Sequence, residues 1–172
     1  MTQDSVKLGK IRRLQRGRCV CPDITDMKPH RRFRIAQPQR MRYERSIMFK
    51  KITTDKAPAA IGPYSQAIIA GDFLFASGQI PINPATGNIE AEGIEAQAEQ
   101  VMKNIGAILA EAGCDYTRVV KTGCFLADMG DFAAFNGVYE KYFTEKPARS
   151  CVAVKQLPKS VLCEVEVVAY LK

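Results

Sequence analysis

The 172-residue sequence contains no tryptophan and a single histidine, His30. One histidine excludes a His-rich metal centre and leaves little material for a Ser-His or Cys-His pair. No apolar run approaches the ~18 residues of a membrane-spanning helix, which excludes a helical transmembrane protein. Six cysteines are too sparse for a disulfide scaffold. The glycines form neither a P-loop nor a dinucleotide fingerprint, and Ser77-Gly78-Gln79 is not a G-x-S-x-G elbow. Cys19-x-Cys21 with His30 has the wrong spacing for a zinc knuckle and lacks a fourth ligand. The reading is therefore a site without metal or cofactor, taking a small anion, or no enzyme site at all.

Charge is plentiful but unevenly placed. The formal net charge is +7. Residues 1–47 hold 13 Lys and Arg against 4 Asp and Glu, a net of +9. The remaining 12 basic and 14 acidic residues leave 48–172 at −2. Residues 1–47 show no helical or strand period, and Pro22, Pro29 and Pro38 interrupt any long helix. Such a segment buries too little apolar surface to offset its ordering entropy, so it reads as a basic, disordered extension. The leading reading places the start of the domain at Met48, with the upstream residues reflecting the choice of start codon. A transit peptide to a mitochondrion or plastid is the alternative, although the segment is poor in serine. A nucleic-acid arm would want aromatic residues for base stacking, and no aromatic interleaving occurs here.

Residues 48–172 read as one α+β domain. Ser65–Ala70 and Phe73–Gln79, separated by Gly71-Asp72, form a predicted hairpin. Ile94, Ala98, Val101, Met102, Ile105, Ile108 and Leu109 put one apolar face on a helix over Gly93–Ala112, ended by Gly113. Val119–Leu126 reads as a strand. Asp131 is placed to cap a helix over Phe132–Phe143. Ser150–Val154 and Val161–Tyr170 read as final strands around a Leu157-Pro158-Lys159 turn, with a further edge strand at Phe49–Thr53. The β-β-α-β-α-β-β order predicts a mixed or antiparallel sheet with two helices on one face. Its other face remains apolar, which predicts an oligomer.

Strand alternation puts Arg149 and Cys151 on one face, and Glu164 and Glu166 on one face. Charges inside apolar strands are costly unless paired or functional. Arginine suits a carboxylate ligand, because its planar fork makes two parallel charge-assisted bonds. A glutamate can orient or deprotonate water if desolvation raises its pKa. The bland reading is equally open: Arg149 pairs with a glutamate, or the glutamates line a solvated edge. Cys151 has no histidine to activate it and reads as a small buried apolar residue.

Four ordered motifs carry a resemblance. They are Ala60-Ile61-Gly62-Pro63-Tyr64-Ser65-Gln66, Ala76-Ser77-Gly78-Gln79-Ile80-Pro81, Pro147-Ala148-Arg149-Ser150-Cys151-Val152 and Glu164-Val165-Glu166. Over roughly residues 49–172 the chain resembles the RidA family of reactive-intermediate imine/enamine deaminases. The resemblance implies a homotrimer of chorismate-mutase-like subunits with sites between subunits. It implies cofactor-free hydrolysis of 2-imino and 2-enamino acids to 2-oxo acids and ammonia; separately, reduced cysteines without a C-x-x-C pair suit a cytoplasmic setting. By motif, Arg149 would clamp the substrate carboxylate. Glu164 would position the attacking water with help from the Cys151 carbonyl. Tyr64, Ser77 and Asn136 would orient the imine, assisted by the Gly78 amide. One departure stands out: only Thr144-Glu145-Lys146-Pro147-Ala148 separate Phe143 from Arg149, fewer than the resemblance implies. Two other functions compete. One is an RNA-associated regulator or ribonuclease, which the −2 charge of residues 48–172 disfavours outside the basic extension. The other is a 2-oxo acid sensor without turnover, since fold alone does not choose function.

Overall fold

The computed structural model describes residues 49–172. The basic extension 1–47, with Cys19, Cys21 and His30, lies outside the described residues. The chain runs β1 (Lys50–Ile52), β2 (Ala67–Ala70), β3 (Phe73–Gln79), α1 (Gly93–Glu111), β4 (Val119–Leu126), α2 (Phe132–Tyr142), β5 (Ala148–Ala153) and β6 (Cys163–Tyr170). The strands form one sheet in the order β1-β2-β3-β6-β4-β5. Neighbours are antiparallel except β4 and β5, which are parallel.

Alternation along the strands separates the two faces. Leu74, Ala76, Thr122, Cys124, Leu126, Cys163, Val165 and Val167 are all buried. All but the polar Thr122 join Val101, Met102, Ile105, Ile108 and Leu109 of α1 and Phe135 and Val138 of α2 in one core. Each such large side chain contributes about 1.5–3 kcal/mol on burial. The other face carries Phe75 and Val152, each 49% exposed, with Phe73 and Tyr170 also exposed. Both helices therefore cover one face, and the second face is apolar and uncovered by the described residues, as the sequence predicts.

The two final strands are both present but do not form a hairpin. The structure does not pair Ser150–Val154 and Val161–Tyr170 around Leu157-Pro158-Lys159, because β4 lies between β5 and β6. β5 instead joins β4 in parallel through α2, since parallel neighbours need a crossover and a helix supplies one. The segment after β5 crosses β4 before entering β6, which makes β5 an outer strand.

Local chemistry explains the element ends. Gly71, at φ 60°, occupies the first central position of the β2–β3 turn, where a II′ hairpin needs glycine. Gly113, at φ 82°, ends α1 in a Schellman motif: Cys114 N–H donates to Leu109 O and Gly113 N–H to Ala110 O, both at 3.0 Å. Asp131 does not cap α2 through its side chain. A short 3₁₀ turn, Met129–Asp131, precedes the helix, and Asp128 Oδ1 accepts from Gly130 N–H at 2.7 Å. Two buried amides pin the long loops. Gln66 accepts from Thr54 N–H and donates to the carbonyls of Thr54, Ala57 and Pro58. Asn104 donates to the carbonyls of Ile80 and Ile82.

Candidate functional site

Arg149 is one of two arginines in residues 49–172. It opens the outer strand β5 opposite Thr122 of β4, on the helix side of the sheet. Three residues on one face of α2 hold it. Its Nη1 donates to Asn136 Oδ1 at 2.7 Å. Its guanidinium lies 4.7 Å from the Tyr139 ring centroid and 5.6 Å from that of Phe132. The Tyr139 hydroxyl is hydrogen-bonded to the buried Thr122 hydroxyl at 2.8 Å, so the ring beneath Arg149 is itself fixed. A guanidinium has five N–H donors, and the bond to Asn136 uses one. Asn136 thus seats Arg149, a placement that the resemblance, which gave it the imine, does not contain.

Cys151 follows two residues later on the same face, opposite Cys124. Its thiol is half-buried and burial pushes its pKa up, with Arg149 offsetting part of the rise. A raised thiol stays protonated at neutral pH and is a poor nucleophile. The backbone tells more. Val154 N–H donates to Leu126 O at 3.0 Å. In a strand, backbone polar groups alternate sides, so even-numbered residues of β5 address β4. The Cys151 carbonyl is therefore directed away from β4, along the outer edge.

Glu164 lies on β6 opposite Phe125, on the open face. The shared face predicted for Glu164 and Glu166 is observed, since Glu166 stands opposite Gly123 on the same side. Two glycines make room for the two carboxylates. A Cβ on Gly78 would fall 1.9 Å from Glu164 Oε1, and one on Gly123 would fall 2.6 Å from Glu166 Oε1. Burial raises the Glu164 pKa, and the neighbouring Glu166 charge adds to the rise. Glu164 is thus a stronger base than a free glutamate.

Two clefts contain these groups. One, of about 590 Å³, is lined by Arg149, Asn136, Tyr139 and Lys146 among others. The other, of about 540 Å³, is lined by Tyr64, Ser77, Gly78, Lys159 and Glu164 among others. Tyr64 is exposed, and its hydroxyl accepts from Ile61 N–H at 3.4 Å. Ser77 Oγ donates to Ser65 O at 2.7 Å and locks that loop to β3. The predicted residues therefore fall into two groups on opposite faces of the sheet: Arg149, Asn136 and Cys151, then Glu164, Tyr64, Ser77 and Gly78. Sequence reading missed Phe132, Tyr139 and Gly123. The spacing of Phe132, Asn136 and Tyr139 along one helix was the available signal for the first two. Among the described residues, no group of three or more His, Cys, Asp or Glu is arranged to hold a metal ion. No helix among them is long and apolar enough to cross a membrane.

The profile of the family described as Endoribonuclease L-PSP matches residues 54–171. A RutC family protein of Synechocystis is 56% identical over 128 residues, covering 73% of this chain and 98% of that protein. The 2-iminobutanoate/2-iminopropanoate deaminase of Escherichia coli is 48% identical over 126 residues, covering 71% of this chain and 98% of the enzyme. The chain belongs to the RidA family. The solved structure of RidA from an Antarctic Psychrobacter superimposes with a TM-score of 0.68 at 45% identity, covering 70% of this chain and 98% of that one. The RidA match spans both clefts and every predicted site residue, and it leaves residues 1–47 outside.

Proposed function

We propose that this RidA-family chain is a cofactor-free deaminase that hydrolyses 2-imino and 2-enamino acids to 2-oxo acids and ammonia. The observation that carries the reading is the seat of Arg149. Asn136, Tyr139 and Phe132 fix its guanidinium while leaving donors for a carboxylate. Such charge-assisted bonds contribute about 1.5–3 kcal/mol. Glu164 supplies the second requirement, a carboxylate of raised pKa beside an open cleft. Because the two groups lie on opposite faces of one sheet, the site is completed by a second copy. A homotrimer that buries the apolar face against its neighbours would bring the Arg149 edge of one copy to the Glu164 cleft of another. The same assembly would act in the cytoplasm.

The chemistry follows from these roles. Arg149 holds the substrate carboxylate. Glu164 accepts a proton from a water held with the Cys151 carbonyl, and that water attacks the imine carbon. That proton passes to nitrogen to give a carbinolamine, whose hydroxyl proton follows it to nitrogen as the C–N bond breaks, and ammonia leaves with the 2-oxo acid behind. Imines already hydrolyse in water, so orientation and charge stabilisation suffice.

The test is ammonia and 2-oxo acid release from freshly generated 2-iminopropionate. Enhancement over the spontaneous rate is expected, with at least a tenfold loss in Arg149→Ala. A folded protein that gives no enhancement overturns the reading. The family's description as an endoribonuclease favours a second reading, RNA cleavage. It requires a labelled RNA to be cut by the protein and spared by the same variant. A binding-only sensor would instead retain 2-oxo acid affinity and show no turnover to lose in Glu164→Gln.

A further inference from the structure

The connection between α2 and β5 is five residues long, Phe143 to Pro147. It turns at once, with Lys146 N–H donating to Phe143 O at 3.2 Å. Lys146 is held at φ 53°, in the left-handed region that residues with a Cβ avoid. Strained backbone of this kind concentrates at functional sites, where the surrounding structure holds it. Here the result is visible: the turn delivers Lys146 to the wall of the cleft that already contains Arg149.

Two cations therefore line one cleft. Arg149 is committed to Asn136 through one donor only. Lys146 makes no ion pair, since the ion pair found among the described residues joins Lys172 and Asp72. Glu140 also lines the cleft, yet it lies within ion-pair distance of neither cation. The cleft volume of about 590 Å³ falls within the 300–1,000 Å³ that accepts drug-sized ligands. Within a single copy, a three-carbon imino acid clamped by Arg149 would fill only part of it.

We propose that Lys146 forms a second anion subsite beside Arg149, selecting 2-imino acids that carry a carboxylate at the far end of the side chain. The turnover part of this proposal rests on the deaminase reading, whereas the ligand preference does not. Lysine suits the far group, because its ammonium is a compact point charge on a flexible stem that tolerates more than one chain length. Arginine, with its planar fork, suits the fixed end.

The experiment compares two imines of equal chain length, generated in place by an amino-acid oxidase from glutamate and from norvaline. The readout is the ratio of their kcat/KM values. The full chain is expected to favour the glutamate-derived imine at least tenfold. Lys146→Gln should lower that ratio at least tenfold, and Lys146→Arg should restore most of it. A ratio near one in the unaltered protein, or one unmoved by Lys146→Gln, overturns the proposal. Calorimetric binding of 2-oxoglutarate against 2-oxopentanoate, on the same proteins, separates the two readings. Lys146-dependent preference in binding without turnover upholds the subsite and overturns the deaminase. Turnover with no preference overturns the subsite alone, and neither preference nor turnover overturns both.

Discussion

Glu164 shows how a residue's chemistry is set by what surrounds it. Gly78 gives it space, burial raises its pKa, and Glu166 on the same face adds a like charge. The carboxylate is the form that accepts a proton from water. With its pKa raised, that form is lost at a higher pH than for an ordinary glutamate, as pH falls through the folded value. Glu166→Gln removes the smaller of the two causes. The acid limb of the kcat/KM profile should then move to lower pH while the alkaline side stays in place. An unmoved acid limb would show that another group controls it. Glu164 and Arg149 were both legible in the sequence, because a charge within an apolar strand stands out. Their mutual placement was not legible, because alternation gives faces within a strand but not between strands paired at a distance.

At the scale of elements, the long apolar helix, the Gly71 turn and the Gly113 cap could be read directly, since each is a local pattern with a local cause. The neighbour of β5 could not. Its partner is chosen by the α2 crossover and by sheet-wide packing, neither of which leaves a mark on residues 150–154. The two pinning amides were also hidden, because a buried glutamine spells the same as an exposed one. Gln66 makes its bonds to a loop that otherwise lacks regular structure, and that loop leads to Tyr64. Gln66→Leu leaves a buried Thr54 N–H and three carbonyls without this partner. Unsatisfied buried groups cost about 1–3 kcal/mol each, with partial relaxation here, so a loss of about 2–3 kcal/mol is expected. A urea midpoint that falls with an unchanged slope would report it, and a change below about 0.5 kcal/mol would contradict it.

At the scale of the whole molecule, the open face predicts self-association. Phe73, Phe75, Val152 and Tyr170 make it apolar, while Glu164 sits within it. Leaving that face in water is unfavourable, and self-association with closed symmetry is the common solution. Light scattering should give three times the 19.1 kDa chain mass. Phe75→Asp, on an exposed position, should yield folded single chains that have lost imine hydrolysis by tenfold or more. Single chains with full activity would place the whole site within one copy, against the opposite-face geometry.

The grip of α2 on Arg149 has a consequence for how such a protein diversifies. Phe132, Asn136 and Tyr139 stand at successive turns of one helix, so the guanidinium is located by helix pitch rather than by the connection that follows. The joint between helix and strand is thereby mechanically decoupled from the anchor it leads to. Residues gained, lost or exchanged between Phe143 and Pro147 are then expected to leave the anchor where it is. The molecule holds a constant grip beside a wall that is free to vary, an arrangement in which ligand preference can drift without loss of the underlying attachment.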